Sequence, residues 1–202
     1  MYLPDSRSLL VADAHFGKAV SFRLLGLPVP RGTTTATLDR LSCTLRDTGA
    51  RQLVFLGDFL HSARSHAAAT LAALTAWRAD HRQLGITLVR GNHDSHAGDP
   101  PAALGITVVD EPLRHGPWAF CHYPVTVPGA YVLAGHLHPC VRLQGRARQS
   151  LRLPCFWMGD AIERGVGVLP AFGSFTGMQA IASMPKDRIF VVADSVVREV
   201  RG

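Results

Sequence analysis

The sequence lacks long apolar runs, and only 18% of its residues are charged. No stretch reaches the roughly 20 apolar residues that a membrane-spanning helix needs, so no membrane association is expected. The first residues include Asp5 and no extended apolar segment, which is unlike a secretory signal and predicts a cytoplasmic protein. With 47% hydrophobic residues, the chain is expected to be globular and not disordered.

Paired cysteines and internal repeats are absent as well. None of the four cysteines has Cys-x-x-Cys spacing, which argues against a zinc ribbon or a thioredoxin-like site. We expect small, buried, reduced thiols at Cys43, Cys121, Cys140 and Cys155. No repeat, low-complexity tract or change of composition marks a boundary, so residues 1–202 are predicted to form one domain.

Basic charge, in contrast, is in excess. The formal net charge is +6, and the sequence pI is about 9.7. Two interpretations stay open on this observation alone: a solubility charge spread over the surface, and attraction to a polyanionic partner such as nucleic acid.

Apolar periodicity divides the chain into two halves. The first half alternates predicted strands at 8–12, 52–56, 86–90 and 106–110 with predicted helices at 16–25, 34–48 and from Ser62 to about Leu84. The second half is predicted to be strands between Gly and Pro turns, at 118–121, 131–134, 141–143, 156–158, 165–169 and 188–193. This pattern predicts an α/β (α+β) fold of mixed sheets covered by helices.

Polar clusters follow five of the predicted strands. They are Asp13-Ala14-His15, Gly57-Asp58, Gly91-Asn92-His93-Asp94, His122 and Gly135-His136-Leu137-His138. Each is weak alone, because a His-x-His pair is usually accidental and a single histidine is usually a hydrogen-bonded core residue. Together they matter, since residues two apart on extended backbone share a face and ligands bind at the carboxyl ends of strands. Asp, Asn and His side chains suit manganese, zinc or iron, and their number is enough for two ions that share a carboxylate.

In order and number, these clusters resemble the five motifs of calcineurin-like metallophosphoesterases. The resemblance implies a four-layer αββα sandwich, with two mixed β-sheets flanked by helices. It also implies two ligand sets that share the bridging Asp58: one ion is held by Asp13, His15, Asp58 and His138, and the other by Asp58, Asn92, His122 and His136. His93 is the implied general acid for the leaving oxygen, paired with Asp94. The chain departs from the family pattern at His61, where many relatives carry an acid.

Longer flanking segments resemble one branch, the bacterial ligase-associated DNA damage-response endonucleases. These segments are residues 13–18, 27–33, 57–62 and 169–177. The resemblance implies a manganese-favouring phosphodiesterase and endonuclease that acts on DNA, expected to be single-stranded, together with a DNA ligase and a helicase in repair. Two alternatives stay open: a phosphodiesterase or phosphatase with a small substrate, and a metal-binding scaffold without turnover.

Four residues are candidates for substrate binding. Lys18, Arg23 and Arg31 follow the first metal-bearing strand end and could hold a phosphate backbone, although solvated surface charges are the alternative. His61 could contact substrate phosphate, support the metal ligands or lie exposed. The Gly-rich stretch 170–177, with Phe172 and Phe175, is expected either to shape a wall of the site or simply to pack.

Overall fold

The computed structural model describes residues 1–145, 149–162, 165–194 and 196–200. Its first β-sheet has five strands in the order β1-β2-β3-β4-β5. These are β1 (Tyr2–Leu3), β2 (Ser8–Val11), β3 (Gln52–Leu56), β4 (Gly85–Val89) and β5 (Thr107–Val109). β2 to β5 are parallel and β1 is antiparallel to β2, so the sheet is mixed and the carboxyl ends of β2 to β5 lie along one edge.

The second sheet has nine strands and is also mixed. They are β6 (Leu113–His115), β7 (Trp118–Phe120), β8 (Tyr131–Ala134), β9 (Pro139–Gln144), β10 (Ser150–Met158), β11 (Val166–Val168), β12 (Gln179–Ala180), β13 (Arg188–Ala193) and β14 (Val196–Val200). Their order is β12-β9-β10-β11-β8-β7-β6, and β13 pairs with β10 and β14. β7 and β8 are parallel, so their carboxyl ends lie together too.

The helices all belong to the first half of the described chain. They are α1 (Lys18–Leu24), α2 (Thr33–Thr48), α3 (Ala68–Asp80) and α4 (Asn92–Ala97), with 3₁₀ turns at Ala63–His66 and Ala102–Leu104. Two mixed sheets, with helices packed on the outer face of the first, confirm the predicted α/β sandwich. The described residues beyond Leu104 form no helix. On the far side of the second sheet, Val127 from a loop packs over Ala119 and Val132.

Two cores result from the alternation of side chains along the first sheet. Leu9 and Leu53 point to one face and pack with Leu41 of α2, whereas Leu10 and Val54 point to the other face. On that second face they meet a group from the second sheet: Phe120, Leu133 and Leu169. Burial of each such side chain contributes about 1.5–3 kcal/mol, which holds the two sheets in a fixed relation at the edge where both deliver polar residues.

Three local predictions need correction. The helix predicted from Ser62 to Leu84 is a 3₁₀ turn followed by α3, because Ala67 adopts φ −55° and ψ 140° between them. The short helix α4 was not predicted, since its six residues are too few to show a helical period. Cys43 is exposed on α2, whereas the other three thiols are buried as expected. None of the helices in the described ranges has the length and apolarity to cross a membrane.

Candidate metal centre

The five polar clusters meet at one edge of the sandwich. Asp13 and His15 follow β2, Asp58 follows β3, and Asn92 opens α4 just after β4. From the second sheet, His122 follows β7, and His136 and His138 follow β8. The parallel strands bring their carboxyl ends together, so all seven predicted ligands lie in one cluster.

One ligand set consists of residues from both sheets. The Nε2 atom of His15 lies 3.4 Å from Nε2 of His138 and 3.6 Å from Oδ2 of Asp58. The Nε2 atom of His138 is also 3.4 Å from Oδ1 of Asp13. Asp13, His15 and His138 can therefore hold a metal ion together, with Asp58 beside them.

The second set is centred on His122. Its Nε2 atom lies 2.8 Å from Oδ1 of Asn92, 3.1 Å from Nδ1 of His136 and 3.5 Å from Oδ1 of Asp58. Asp58 thus presents Oδ2 to the first set and Oδ1 to the second. The two oxygens of this one carboxylate therefore face two separate groups of candidate ligands.

The distances between these atoms fit metal ligation. Ligand atoms about 2.0–2.2 Å from a common ion are about 3.0–3.5 Å from one another. The separations of 2.8–3.6 Å within the two sets fall around this range. Two imidazole nitrogens this close have no reason to meet unless they share a proton or a cation.

Backbone carbonyls fix the orientation of two imidazoles. Because a carbonyl only accepts, Nδ1–H of His122 donates to the Leu56 oxygen at 3.1 Å, and Nδ1–H of His138 donates to the Gly177 oxygen at 3.0 Å. In both rings Nε2 is then the atom with the free lone pair, and it faces the cluster. Such outer contacts are typical of metal-binding histidines.

Burial makes the cluster unfavourable without a cation. Asp13 and Asp58 are almost fully buried. Burial raises the pKa of the Asp58 carboxyl, and the nearby Asp13 raises it further. Burial also lowers the pKa of His15, which keeps its imidazole neutral, as metal ligation requires. A divalent ion would compensate the buried carboxylates, so the donor set fits a metal.

Backbone strain is concentrated on the same residues. Five candidate ligands have left-handed φ angles: Asp13 (52°), His15 (46°), Asp58 (51°), His136 (69°) and His138 (48°). In the described ranges only Arg7 and Asp194 share this feature among non-glycine residues. Each such residue costs on the order of 1–3 kcal/mol, and strain of this kind accumulates where function requires a fixed side-chain direction.

Two motif glycines are required because the site is crowded. A Cβ atom on Gly57 would lie 2.0 Å from Nδ1 of His122, and Gly57 itself has φ 77°. A Cβ atom on Gly91 would lie 2.4 Å from Oδ1 of Asp58. Any larger residue at either position would displace a ligand.

His93 lies beside the cluster, with its orientation fixed by the backbone. Its Nδ1–H donates to the His61 carbonyl at 2.7 Å, and its Nε2 atom lies 3.9 Å from Oδ2 of Asp58. The side chain is 36% exposed, so Nε2 can reach a substrate. His93 also donates its backbone N–H to Oδ1 of Asp58 at 3.0 Å, which positions that carboxylate.

Asp94 has a different role from the implied one. It does not orient the His93 ring, whose Nδ1 partner is the His61 carbonyl. Instead, the Asp94 carboxylate accepts hydrogen bonds from the N–H groups of Leu60 at 3.1 Å and Gly91 at 3.0 Å. Burial raises the pKa of Asp94 to about 6. Asp94 therefore ties the start of α4 to the loop after β3.

The four substrate-binding candidates divide into two groups. His61 belongs to the cluster: its ring stacks on His93 with centroids 4.7 Å apart, and its Nδ1 lies 3.4 Å from Nδ1 of His15. Lys18 is half-buried; burial lowers its pKa, although the charges of Asp58 and Asp13 oppose that shift. Away from the cluster, Arg23 donates to the Pro30 carbonyl at 2.7 Å, and Arg31 is exposed on the same loop.

The stretch 169–177 forms a wall of the centre. Leu169 N–H donates to the Ala134 carbonyl and Phe172 N–H to the Ala12 carbonyl, both at 2.8 Å, so the stretch runs between the two sheets. The Phe175 ring contacts Phe22, with centroids 5.8 Å apart, whereas Phe172 packs against the helix-side core. Of the two phenylalanines, Phe175 is thus the one that extends toward the site.

Two residues near the centre were not identified from sequence. The Tyr123 ring lies 4.6 Å from that of His136 and is 38% exposed, so it forms part of the open rim. Glu111 accepts hydrogen bonds from the N–H groups of His122 and Tyr123 at 2.6 and 3.0 Å. Adjacency to His122 could have drawn attention to Tyr123, but Glu111, eleven residues before that ligand, carries no local signal.

Comparison with known proteins assigns the family. No protein-family model and no curated protein sequence matches the chain. Among solved structures, the nuclease MPE of Pseudomonas putida is 46% identical, with a TM-score of 0.80 and coverage of 94% of this chain and 86% of that one.

Two other structures are much less similar. They are AQ665 of Aquifex aeolicus, a protein of unknown function (20% identity, TM-score 0.44, covering 69% of this chain and 81% of that one), and the Escherichia coli phosphoesterase Yfce (15%, 0.41, 94% and 90%). These similarities are too low to bear on function. Given the identity to the Pseudomonas nuclease and the five motifs united at one edge, the chain belongs to the calcineurin-like metallophosphoesterase family and is a metal-dependent phosphoesterase.

Proposed function

We propose that the protein is a dinuclear-metal-dependent phosphodiesterase that cleaves DNA. The observation that carries this proposal is the position of Asp58, whose two carboxylate oxygens face separate ligand sets, one with His15 and one with His122. Two metal ions about 3.5–4 Å apart are the usual arrangement for in-line displacement at phosphorus. A DNA substrate is supported by the net charge of +6 and by the 46% identity to a structure described as a nuclease.

In this proposal the ions are manganese, because mixed nitrogen and oxygen ligation suits it, with zinc and iron as alternatives. Divalent ions in this cluster would supply Lewis-acid activation of the phosphodiester. His93 then acts as the general acid. Its imidazolium gives the Nε2 proton to the leaving oxygen, while Nδ1–H stays with the His61 carbonyl. The ring thus keeps its orientation before and after proton transfer.

The remaining candidates have positioning roles in the same proposal. Lys18 and His61 lie next to the candidate ligands and are placed to contact phosphate oxygens. Arg23 at the end of α1 and Arg31 on the loop 25–32 would act further out. Resemblance of the flanking segments alone supports single-stranded DNA as the substrate and a DNA ligase and a helicase as partners in repair. A role beside a DNA ligase and a helicase would imply a cytoplasmic location. We also propose a single domain over residues 1–202, which is supported by the absence of a repeat or a change of composition.

A substrate comparison tests the activity. The protein is stripped with chelator, reloaded with Mn²⁺ and assayed on a single-stranded oligonucleotide, a bis-aryl phosphodiester and an aryl phosphomonoester. We expect metal-dependent cleavage of the first two and little turnover of the monoester. Preference for the monoester would support the small-substrate alternative, and no turnover of any of the three would support the scaffold.

Metal analysis tests the bridge. The wild-type protein should bind two ions per chain, and Asp58→Ala should lose both because each ligand set loses a carboxylate oxygen. Asp47→Ala, which removes an exposed carboxylate on α2, is the control and should keep the wild-type metal content. Full occupancy in Asp58→Ala would contradict the bridging role.

A further inference from the structure

One segment of the chain has no acidic residue and many arginines. Between Glu111 and Asp160 the sequence contains no Asp or Glu. Four of the arginines in this segment fall within eleven positions, at Arg142, Arg146, Arg148 and Arg152. Positive charge here is therefore not balanced by neighbours in sequence, unlike the mixed surface of an ordinary soluble domain.

The structure places two of these arginines side by side. In the antiparallel pair of β9 and β10, Arg142 lies directly opposite Arg152, and both side chains are exposed. Directly opposed residues share one face of a sheet. Leu143 and Leu151, also opposed, lie on the other face. Like charges placed directly opposite each other are destabilising unless an anion lies between or above them.

The arginine pair is connected to the metal centre. β9 starts at Pro139, immediately after the ligand His138. His138 donates to the Gly177 carbonyl, and the Nη1 atom of Arg152 lies 3.4 Å from the next carbonyl, that of Met178. Adjacent residues are only about 3.8 Å apart along the backbone, so the two side chains bind neighbouring points of the same wall.

Each of the two guanidinium groups has a hydrogen-bond partner within the protein but keeps further N–H donors. Arg142 donates through Nε to Oγ of Ser150 at 3.0 Å, which fixes its direction across the hairpin. Each guanidinium has five N–H donors, more than the one contact named for each side chain uses, and both residues are exposed. A forked donor of this kind matches the geometry of a phosphate group.

We propose that this arginine face of the β9–β10 hairpin, formed by Arg142 and Arg152, binds the phosphate backbone of the substrate strand beyond the scissile bond. The assignment rests on the proposed nuclease function and names a contact that lies outside the loop 25–32. The two arginines would hold the part of the nucleic-acid strand that extends away from His138. They position the substrate and take no part in bond cleavage. Its contribution falls with salt, because phosphate contacts release counterions from the nucleic acid.

The test compares two double variants with the same loss of charge. Arg142→Ala/Arg152→Ala removes the arginine face. Arg46→Ala/Arg82→Ala removes two exposed arginines that precede β3 and β4, at the amino ends of these strands and opposite the metal centre. For each Mn²⁺-loaded protein, kcat and KM are measured on a single-stranded oligonucleotide and on a bis-aryl phosphodiester at several salt concentrations.

For the hairpin variant we expect KM on the oligonucleotide to rise roughly tenfold at low salt, and the slope of log(kcat/KM) against log salt to become shallower by roughly 0.7 per arginine. The resulting loss of kcat/KM on the oligonucleotide should exceed any loss of kcat/KM on the bis-aryl diester, because the small diester reports the metal centre alone. Arg142→Gln/Arg152→Gln, which keeps hydrogen-bonding side chains without the charge, should behave like the alanine pair. Thermal melting of each variant verifies folding.

Three results would overturn the proposal: equal KM changes in the hairpin and control variants, an unchanged salt slope, or an equal loss on both substrates. Failure of the nuclease function itself looks different, since the wild-type protein would then cleave the diester but not the oligonucleotide. In that case fluorescence anisotropy with the same oligonucleotide still tests the hairpin. Tight binding that only the hairpin variant loses would support the arginine face as a polyanion site.

Discussion

At the scale of single residues, His93 is the residue that best distinguishes the enzyme hypothesis from the metal-binding scaffold hypothesis. It follows the candidate ligand Asn92, its side chain is 36% exposed, and its ring is fixed by the His61 carbonyl. Because Nε2 is the free atom and lies 3.9 Å from Oδ2 of Asp58, the proposed proton transfer would take place next to that carboxylate. A scaffold would have no use for this arrangement.

His93→Ala should therefore keep its metal and lose turnover. We expect kcat to fall about 10²–10⁴-fold on diesters with poor leaving groups, and less on aryl esters, whose leaving oxygen needs no proton. Metal content and kinetics on a series of leaving groups measure both effects. His96→Ala, an exposed histidine on the same helix, is the matched control. An unchanged rate on the poorest leaving group would remove His93 from the acid role.

Asp94 makes a second prediction at this scale. Asp94→Ala leaves the buried N–H groups of Leu60 and Gly91 without an acceptor, so we expect a loss of about 2–4 kcal/mol in the free energy of unfolding. Asp94→Asn should recover part of it, because the amide oxygen still accepts. Urea titrations give these values. If Asp94→Ala instead lowered kcat at unchanged stability, the orienting role implied by the family resemblance would be the better account.

At the scale of elements, the turns after the strands determine the site. Apolar periodicity predicted the positions of β2, β3, β4, β7 and β8, since each is a short apolar run followed by polar residues. It did not predict the break at Ala67, where the backbone leaves the helical region, or the helix α4, whose six residues are too few to show a helical period. The ends of the strands thus fix which side chains meet, and the turns fix their direction.

Gly57→Ala tests how tightly one turn is packed. The new Cβ would lie 2.0 Å from Nδ1 of His122, so His122 must move and metal affinity should fall steeply. Gly116→Ala is the control, because Gly116 also has a positive φ, at 57°, but a Cβ there meets nothing within 4 Å. It should carry only the backbone cost of about 1–2 kcal/mol and keep its metal. Equal metal loss in both variants would show that crowding at His122 is not the cause.

At the scale of the whole molecule, burial determines which of the four cysteines can react with a reagent in solution. Burial raises the pKa of the Cys155 thiol to about 12 and that of Cys121 to about 11, and Cys140 is buried too. Only Cys43 is exposed. Since the thiolate is the reactive form, native protein at pH 8 should take up one iodoacetamide per chain, at Cys43.

Mass spectrometry measures the uptake, and Cys43→Ser should show none; two or more adducts on the native wild-type protein would contradict the burial.

The buried thiols also make stability depend on pH. The folded-state pKa values of Cys121 and Cys155 lie above the ordinary value of 9.0, so the unfolded state ionises first. Their contribution to stability is present below about pH 9 and is lost as the pH rises toward 11–12.

By itself, the sequence determined the strands, the candidate ligands and the family. Ligand chemistry is a property of residue type, and a strand with a polar end is a local pattern, so Asp13, Asp58 and His122 could be named as candidate ligands without coordinates. The tertiary structure alone decided which groups support them. The partner of His93 is 32 residues away and that of His138 is 39 residues away, and both are backbone carbonyls, which residue type does not reveal. The same holds for Arg142 and Arg152, whose shared face depends on the register of two strands.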